Sequence, residues 1–188
     1  MIGRIFTADH HVYDLPPLLS WNVRHTGTVP CDSWSVTAVY QPEMLSVLRM
    51  AAGFAAIENG TTQLRGIVDE YTVELGGGGM TVTLSGRGYA ARLLDNESRP
   101  VTYEQVTLRE LIRCHAEPYG ISCGAVADLK STVPYTAGAG ISQWKVISEF
   151  CRTYGGFQPR FAKTGELLAT PEQDSGKRII LDSGSPVL

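Results

Sequence analysis

The sequence predicts an α+β protein, in which an antiparallel β body is followed by a small two-helix α/β module. Three observations carry this reading. Twenty Gly and ten Pro in 188 residues call for many turns, which suits short strands. Apolar and polar residues alternate with period 2 through the first half, the mark of strands with one buried face. Beyond Asn96-Glu-Ser-Arg-Pro100 the spacing of apolar residues becomes helical.

Trp34, Val36, Ala38 and Tyr40 share one face of a strand, with Ser35 and Thr37 on the other. A short helix is expected over 42–52, opened by Pro42 and carrying Leu45, Leu48 and Ala52. Phe54–Val68 reads as a hairpin about Asn59-Gly60, a pair that tolerates positive φ at both turn positions. A second hairpin pairs Tyr71, Val73 and Leu75 with Met80, Val82 and Leu84. Its tip, Gly76 to Gly79, resembles a phosphate loop only superficially, since no Lys-Ser or Lys-Thr follows. Backbone freedom alone explains four glycines at a hairpin tip.

In the second half, Thr107-Leu-Arg-Glu110 is a capping box that opens a helix through Leu111, Ile112 and Cys114-His115, ended by Pro118 and Gly120. Another helix starts at Ser142, carries Trp144, Ile147, Cys151 and Tyr154 on one stripe, and stops at Gly155-Gly156. An offset of 35 residues places Ile147 on Ile112 and Tyr154 on Tyr119, so the two helical units look like an internal repeat. Each runs into an extended segment, Ile121–Gly124 and Phe157–Phe161. A hairpin of Phe157–Ala162 with Glu166–Thr170 follows, and a strand Arg178–Leu181 is expected last, as the start of a β region that continues beyond this chain. Trp34 and Trp144 are expected in the core, and Trp21 and Tyr13 are the aromatics available to a binding surface.

Apolar residues make up 43% and charged residues 19%, with a net charge of −3, which argues against disorder and against a general nucleic-acid binder. No run approaches the roughly 18 apolar residues of a membrane span. Met1–Phe6 lacks the apolar run and cleavage site of a signal peptide. Cys31, Cys114, Cys123 and Cys151 form no CxxC pair and no Cys-His zinc spacing, so reduced thiols are expected, with Cys114 and Cys151 on apolar helix faces.

No residue set reaches the standard of an active site: no catalytic residue, cofactor site or metal ligand is assigned. His10-His11 lie beside Asp9 and Asp14, but neighbours on a strand point to opposite faces and cannot easily share an ion. His25 reads as a surface residue. Cys114 and His115 diverge by about 100° on a helix, a poor nucleophile–base pair. Leu84-Ser-Gly-Arg-Gly88 lacks the first glycine of a nucleophile elbow. Asp69-Glu70, Asp95, Glu97 and Glu104 are scattered carboxylates, and Arg87 reads as a strand-end cap.

At the junction of the two halves, Val82-Thr-Leu-Ser-Gly-Arg-Gly-Tyr-Ala-Ala-Arg-Leu-Leu-Asp95 resembles the Gly-Arg strand end and following helix of phage baseplate hub proteins, the late control D and Mu-like tail hub family. The hairpin Ala56–Asp69, the helices Val106–Ile121 and Ser142–Gly156, and the hairpin Phe157–Pro171 with Thr164-Gly165-Glu166-Leu167 at its turn follow in the family's order. Gly88 and Tyr89 stand where the family commonly has Ser or Thr. The resemblance implies a tube-like antiparallel β-barrel domain over 1–97, a small α/β module over 98–172, and the start of a further β region over 173–188. It implies a homotrimeric, non-enzymatic hub ring in the virion tail, assembled in the bacterial cytoplasm. Its partners would be the tail tube, the spike or tail-tip protein and baseplate wedge proteins, with DNA only passing through the lumen and no membrane anchor. The competing readings are a tail-associated peptidoglycan hydrolase, which would need a cleft with a perturbed His or paired carboxylates, and a carbohydrate-binding module.

Overall fold

The structure, a computed structural model, describes residues 1–27 and 30–172. The expected strand Arg178–Leu181 lies outside them. The first half is one seven-stranded antiparallel sheet. In chain order its strands are β1 (Ile2–Thr7), β2 (Val12–Asp14), β3 (Leu18–Arg24), β4 (Ser33–Val39), β5 (Ala51–Glu58), β6 (Thr61–Gly76) and β7 (Gly79–Gly88), and their spatial order is β2-β1-β5-β6-β7-β4-β3.

The two outermost strands, β2 and β3, are consecutive in the chain and joined by Leu15-Pro16-Pro17 alone. Four residue steps reach at most about 15 Å. The outer strands of a flat seven-stranded sheet would lie about 29 Å apart at about 4.8 Å per strand. The sheet must therefore curl on itself. The packing agrees: a Cβ at Gly3 of β1 would lie 3.0 Å from Leu15 and 3.4 Å from Leu18 of β3. The result is barrel-like in shape, with a seam between β2 and β3 that carries no ladder. Its interior is filled by Ile5, Trp34, Val36, Met44, Phe54, Leu64 and Leu84 among others, all buried.

Several expectations are corrected. The helix α1 is shorter than 42–52: it covers Met44–Arg49, and Ala51–Ala52 already belong to β5. Three strands precede Trp34 where the sequence reading assigned none. The two expected hairpins share one strand, since β6 runs 16 residues and pairs first with β5 and then with β7. Asn59 and Gly60 do take positive φ, 50° and 75°, at the β5–β6 turn.

The second half begins with the short helix α2 (Ala91–Leu94) and builds a separate apolar cluster. Leu108, Leu111 and Ile112 of α3 (Leu108–His115) pack against Val146, Ile147, Phe150 and Cys151 of α4 (Gln143–Gly155). The capping box at Thr107 is complete, and Gly120 and Gly156 take the left-handed positions that close each unit. Strand β8 (Val101–Tyr103) pairs with β10 (Tyr135–Ala137). Strand β12 (Leu167–Ala169) lies between β11 (Arg160–Phe161) and β9 (Cys123–Val126), parallel to the latter. Cys151 is buried as expected, but Cys114 is exposed, on the solvent side of α3.

Candidate assembly surface

The Gly86-Arg87-Gly88 stretch has a structural cause. Trp34 of β4 lies across Gly86 and stacks on Phe54 at 3.7 Å between ring centroids. Its indole Nε1 donates to the Ile67 carbonyl at 3.1 Å. A Cβ at Gly86 would overlap that same carbonyl oxygen and sit 2.9 Å from the Trp34 ring. Only glycine fits. Arg87 then points to the opposite face. Its guanidinium makes a two-toothed pair with Asp69, at 2.8 and 2.9 Å, and reaches Asp95 at 2.9 Å. The hydrogen bonds to Asp69, and next those to Asp95, stabilise the charged form of the guanidinium and raise its pKa further. Arg87 thus ties the bulge in β6 to the segment that leads into the second half, as a structural cap.

That bulge, between Val68 and Glu70, marks where β6 leaves β5. The last β5 partner is Ile67, so residues 68–76 have β7 on one side and, among the described residues, no strand on the other. Strand β3 is likewise unpaired on its outer side. Among the described residues the four-stranded section β6-β7-β4-β3 therefore has two open edges. Each edge carries large apolar groups on the core-facing side. On β3 it is Trp21, in register with buried Val36 yet 50% exposed. On β6 they are Tyr71, Val73 and Leu75, the last 81% exposed. Interior residues at a strand edge stay half wet when nothing continues the sheet.

The other face of this section is polar. Ser20, Asn22, Ser33, Ser35, Thr37, Thr72, Thr81, Thr83 and Ser85 form cross-strand rows on it, with Glu70, Glu74, Arg24 and Arg87. The hydroxyls of Thr37 and Thr83 are hydrogen-bonded at 3.0 Å, and Ser85 donates to Glu70 at 3.0 Å.

The residues weighed for chemistry are scattered. His10 sits in the β1–β2 turn with φ 67°, and His11 faces Asp9 at 3.0 Å. His25 lies 3.0 Å from Asp32 at the surface. His115 is 5% exposed, and both its nitrogens are engaged. Gln143 donates to the Glu97 carbonyl at 3.0 Å and to the Tyr119 hydroxyl at 2.8 Å, which fixes its amide orientation. Its Oε1 must then accept from His115 Nδ1, at 2.6 Å, leaving Nε2 to accept from the Tyr103 hydroxyl at 3.0 Å. His115 is a bracket between the two helices, and Cys114, exposed, lies beside Tyr103. Glu97 accepts from the Gly140 amide at 2.8 Å. Among the described residues no group of three or more His, Cys, Asp or Glu is placed to hold a metal ion, and no helix is long and apolar enough to cross a membrane. Burial pushes the Cys151 thiol and the Tyr135 phenol each up to about 12, in the core of the helical half.

No model of a known protein family matches the chain, and no curated protein matches it. Solved structures do. The tail protein from Neisseria meningitidis MC58 superposes with a TM-score of 0.66 at 14% identity, over 89% of this chain and 49% of that one. The 43 kDa tail protein of prophage MuSo2 from Shewanella oneidensis superposes with a TM-score of 0.70 at 15% identity, over 96% of this chain and 58% of that one. The chain thus spans about half the length of the solved structures it matches. At this identity the likeness is one of fold, and these two structures, which share it, are tail proteins, one of them from a prophage.

Proposed function

We propose that this chain is a structural component of a phage tail, the part of a baseplate hub ring that joins the tail tube to the central spike or tip. The observation that carries the reading is the pair of open edges on β6-β7-β4-β3. Each neighbour in that section is antiparallel, so β3 runs opposite to β6. A rotated copy that sets its β6 edge beside β3 continues one antiparallel sheet around an axis, and each copy covers its neighbour's half-wet residues. Such a head-to-tail contact closes into a ring when the rotation divides the circle.

In that ring the hydroxyl-rich face lines the hollow. Its cations are few, and Arg87 is neutralised by two carboxylates. Passing phosphate backbones find little to hold them there. The division into a hub domain to residue 97, a module to residue 172 and a further β region from residue 173 belongs to the same proposal. So do the homotrimer of the full-length protein and its tube, spike and wedge neighbours. The rival binding-module reading rests on Trp21, but the core-facing side of an open strand is where sheet continuation would cover that ring.

Native mass spectrometry of the full-length protein, alone and with its spike, tests this. The expected mass is a multiple of three protomers, and Trp21→Asp at the strand edge should return folded monomers. A full-length protein that stays monomeric with its spike present, or a Trp21→Asp variant that still assembles, refutes it.

A further inference from the structure

A second surface lies at the end of the sheet away from the Gly77-Gly78 tip. There Gly27, Pro30 and Asp32 between β3 and β4, the Gly88–Ala90 exit from β7 and the β11–β12 turn line a cleft of about 220 Å³. Three cations line it, from positions far apart in the chain: Arg65, Arg160 and Lys163. Each is anchored by a neutral group. The Arg65 guanidinium lies 4.8 Å over the Phe6 ring and 5.9 Å from that of Tyr89. Arg160 Nη1 donates to the Thr170 carbonyl at 2.9 Å, and Lys163 Nζ donates to Gln63 Oε1 at 2.8 Å. None of the three belongs to an ion pair among the described residues. Their positions are held, no carboxylate pairs with them among the described residues, and each keeps spare N–H donors. Among the described residues the lining holds one carboxylate, Asp32, and it is engaged by the Thr26 amide at 2.9 Å and by His25 at 3.0 Å. Leu64, Tyr89 and Phe161 supply apolar wall.

We propose that this cleft receives a carboxylate side chain, together with an adjoining apolar residue, from an acidic loop of a partner protein. Two arginines and a lysine with fixed positions suit a carboxylate, which accepts several charge-assisted bonds at once. The apolar wall selects a peptide over a bare anion. A nucleic-acid backbone demands an extended basic stripe, which three cations at one cleft of about 220 Å³ do not supply. Because the cleft sits at a strand end, a partner stacked along the ring axis would reach it. That direction of approach rests on the ring proposed above, whereas the chemistry of the cleft does not.

Two-dimensional amide NMR of the 188-residue chain tests it, with N-acetyl-Glu-Leu-amide as the probe. Saturable shifts are expected at Gly27, Gly88 and Gly165, with binding weaker by about tenfold or more for the Gln-Leu analogue, the loss of a charge-assisted contact. Arg160→Glu with Lys163→Glu should invert the preference toward N-acetyl-Lys-Leu-amide. Should that pair disturb the fold, Lys163→Gln alone, at an exposed position, should still weaken the Glu probe. The proposal is overturned if the Glu and Gln probes bind alike, if no probe shifts these amides, or if inorganic phosphate binds as well as the Glu peptide. A full-length protein that binds the Glu probe but forms no trimer would refute the ring and leave the cleft standing. A trimer that binds no probe would do the reverse.

Discussion

Replacing Gly86 by alanine should be among the most damaging small changes available to this fold. The new methyl would overlap the Ile67 carbonyl oxygen and come within 2.9 Å of the Trp34 ring. Neither neighbour can yield cheaply. Ile67 is backbone in β6, paired to Gly53 on one side and Arg87 on the other. Trp34 is stacked on Phe54 and bonded to that same carbonyl. Overpacking a tight core costs about 1–3 kcal/mol. Losing the indole bond adds about 1 kcal/mol. The expected destabilisation is therefore about 2–4 kcal/mol, read as a lower urea midpoint with an unchanged slope. Trp34→Phe serves as the control, since it removes the indole bond and leaves the methyl out. A Gly86→Ala protein whose urea midpoint matches the parent's would refute the crowding argument at its root.

Gln143→Ala leaves the His115 and Tyr119 groups without their buried partner and should cost about 1–3 kcal/mol by chemical denaturation. Thr107→Ala removes the side-chain cap of α3 and should cost about 1 kcal/mol in the same assay. The folded Cys151 thiol titrates at about 12, above its unfolded value, so its contribution is full below the unfolded pKa and is lost as pH rises toward 12. Cys151→Val should flatten the alkaline decline of stability between about pH 9 and 12, measured by urea midpoints across that range. In the folded parent at pH 8, a thiol reagent should label exposed Cys114 rapidly and buried Cys151 only on unfolding, counted by mass spectrometry.

Local chemistry marked many elements in advance. Asn59-Gly60 specified its turn through positive φ, Thr107 and Glu110 specified a helix start, and Trp34 and Trp144 stood on periodic faces that the fold buries. The missed strand β1 has a physical reason. Its inward positions are Gly3, Ile5 and Thr7, so only one large apolar residue points to the core and the alternation is hidden. Strand β3 is obscured by a register shift between Leu18 and Ser20. The overlong helix arose because alanines at 51 and 52 suit a strand as well as a helical stripe. The open edges and the basic cleft could not be seen from spacing, because they depend on which strands fail to meet and on Arg65 and Arg160 coming together across the fold.

The order of strands in space also governs how the polypeptide can be made. As the chain emerges from the ribosome, Ser33–Val39 must wait for Thr81–Arg87, and Ile2–Thr7 must wait for Ala51–Ile57, each arriving more than forty residues later. At about 5–20 residues per second the nascent N-terminal strands spend seconds without these mates. Such distant pairing slows maturation and leaves sticky intermediates open to one another. Successful production in a heterologous host should accordingly improve with slower synthesis or with holdase chaperones, more than with any gain in final stability.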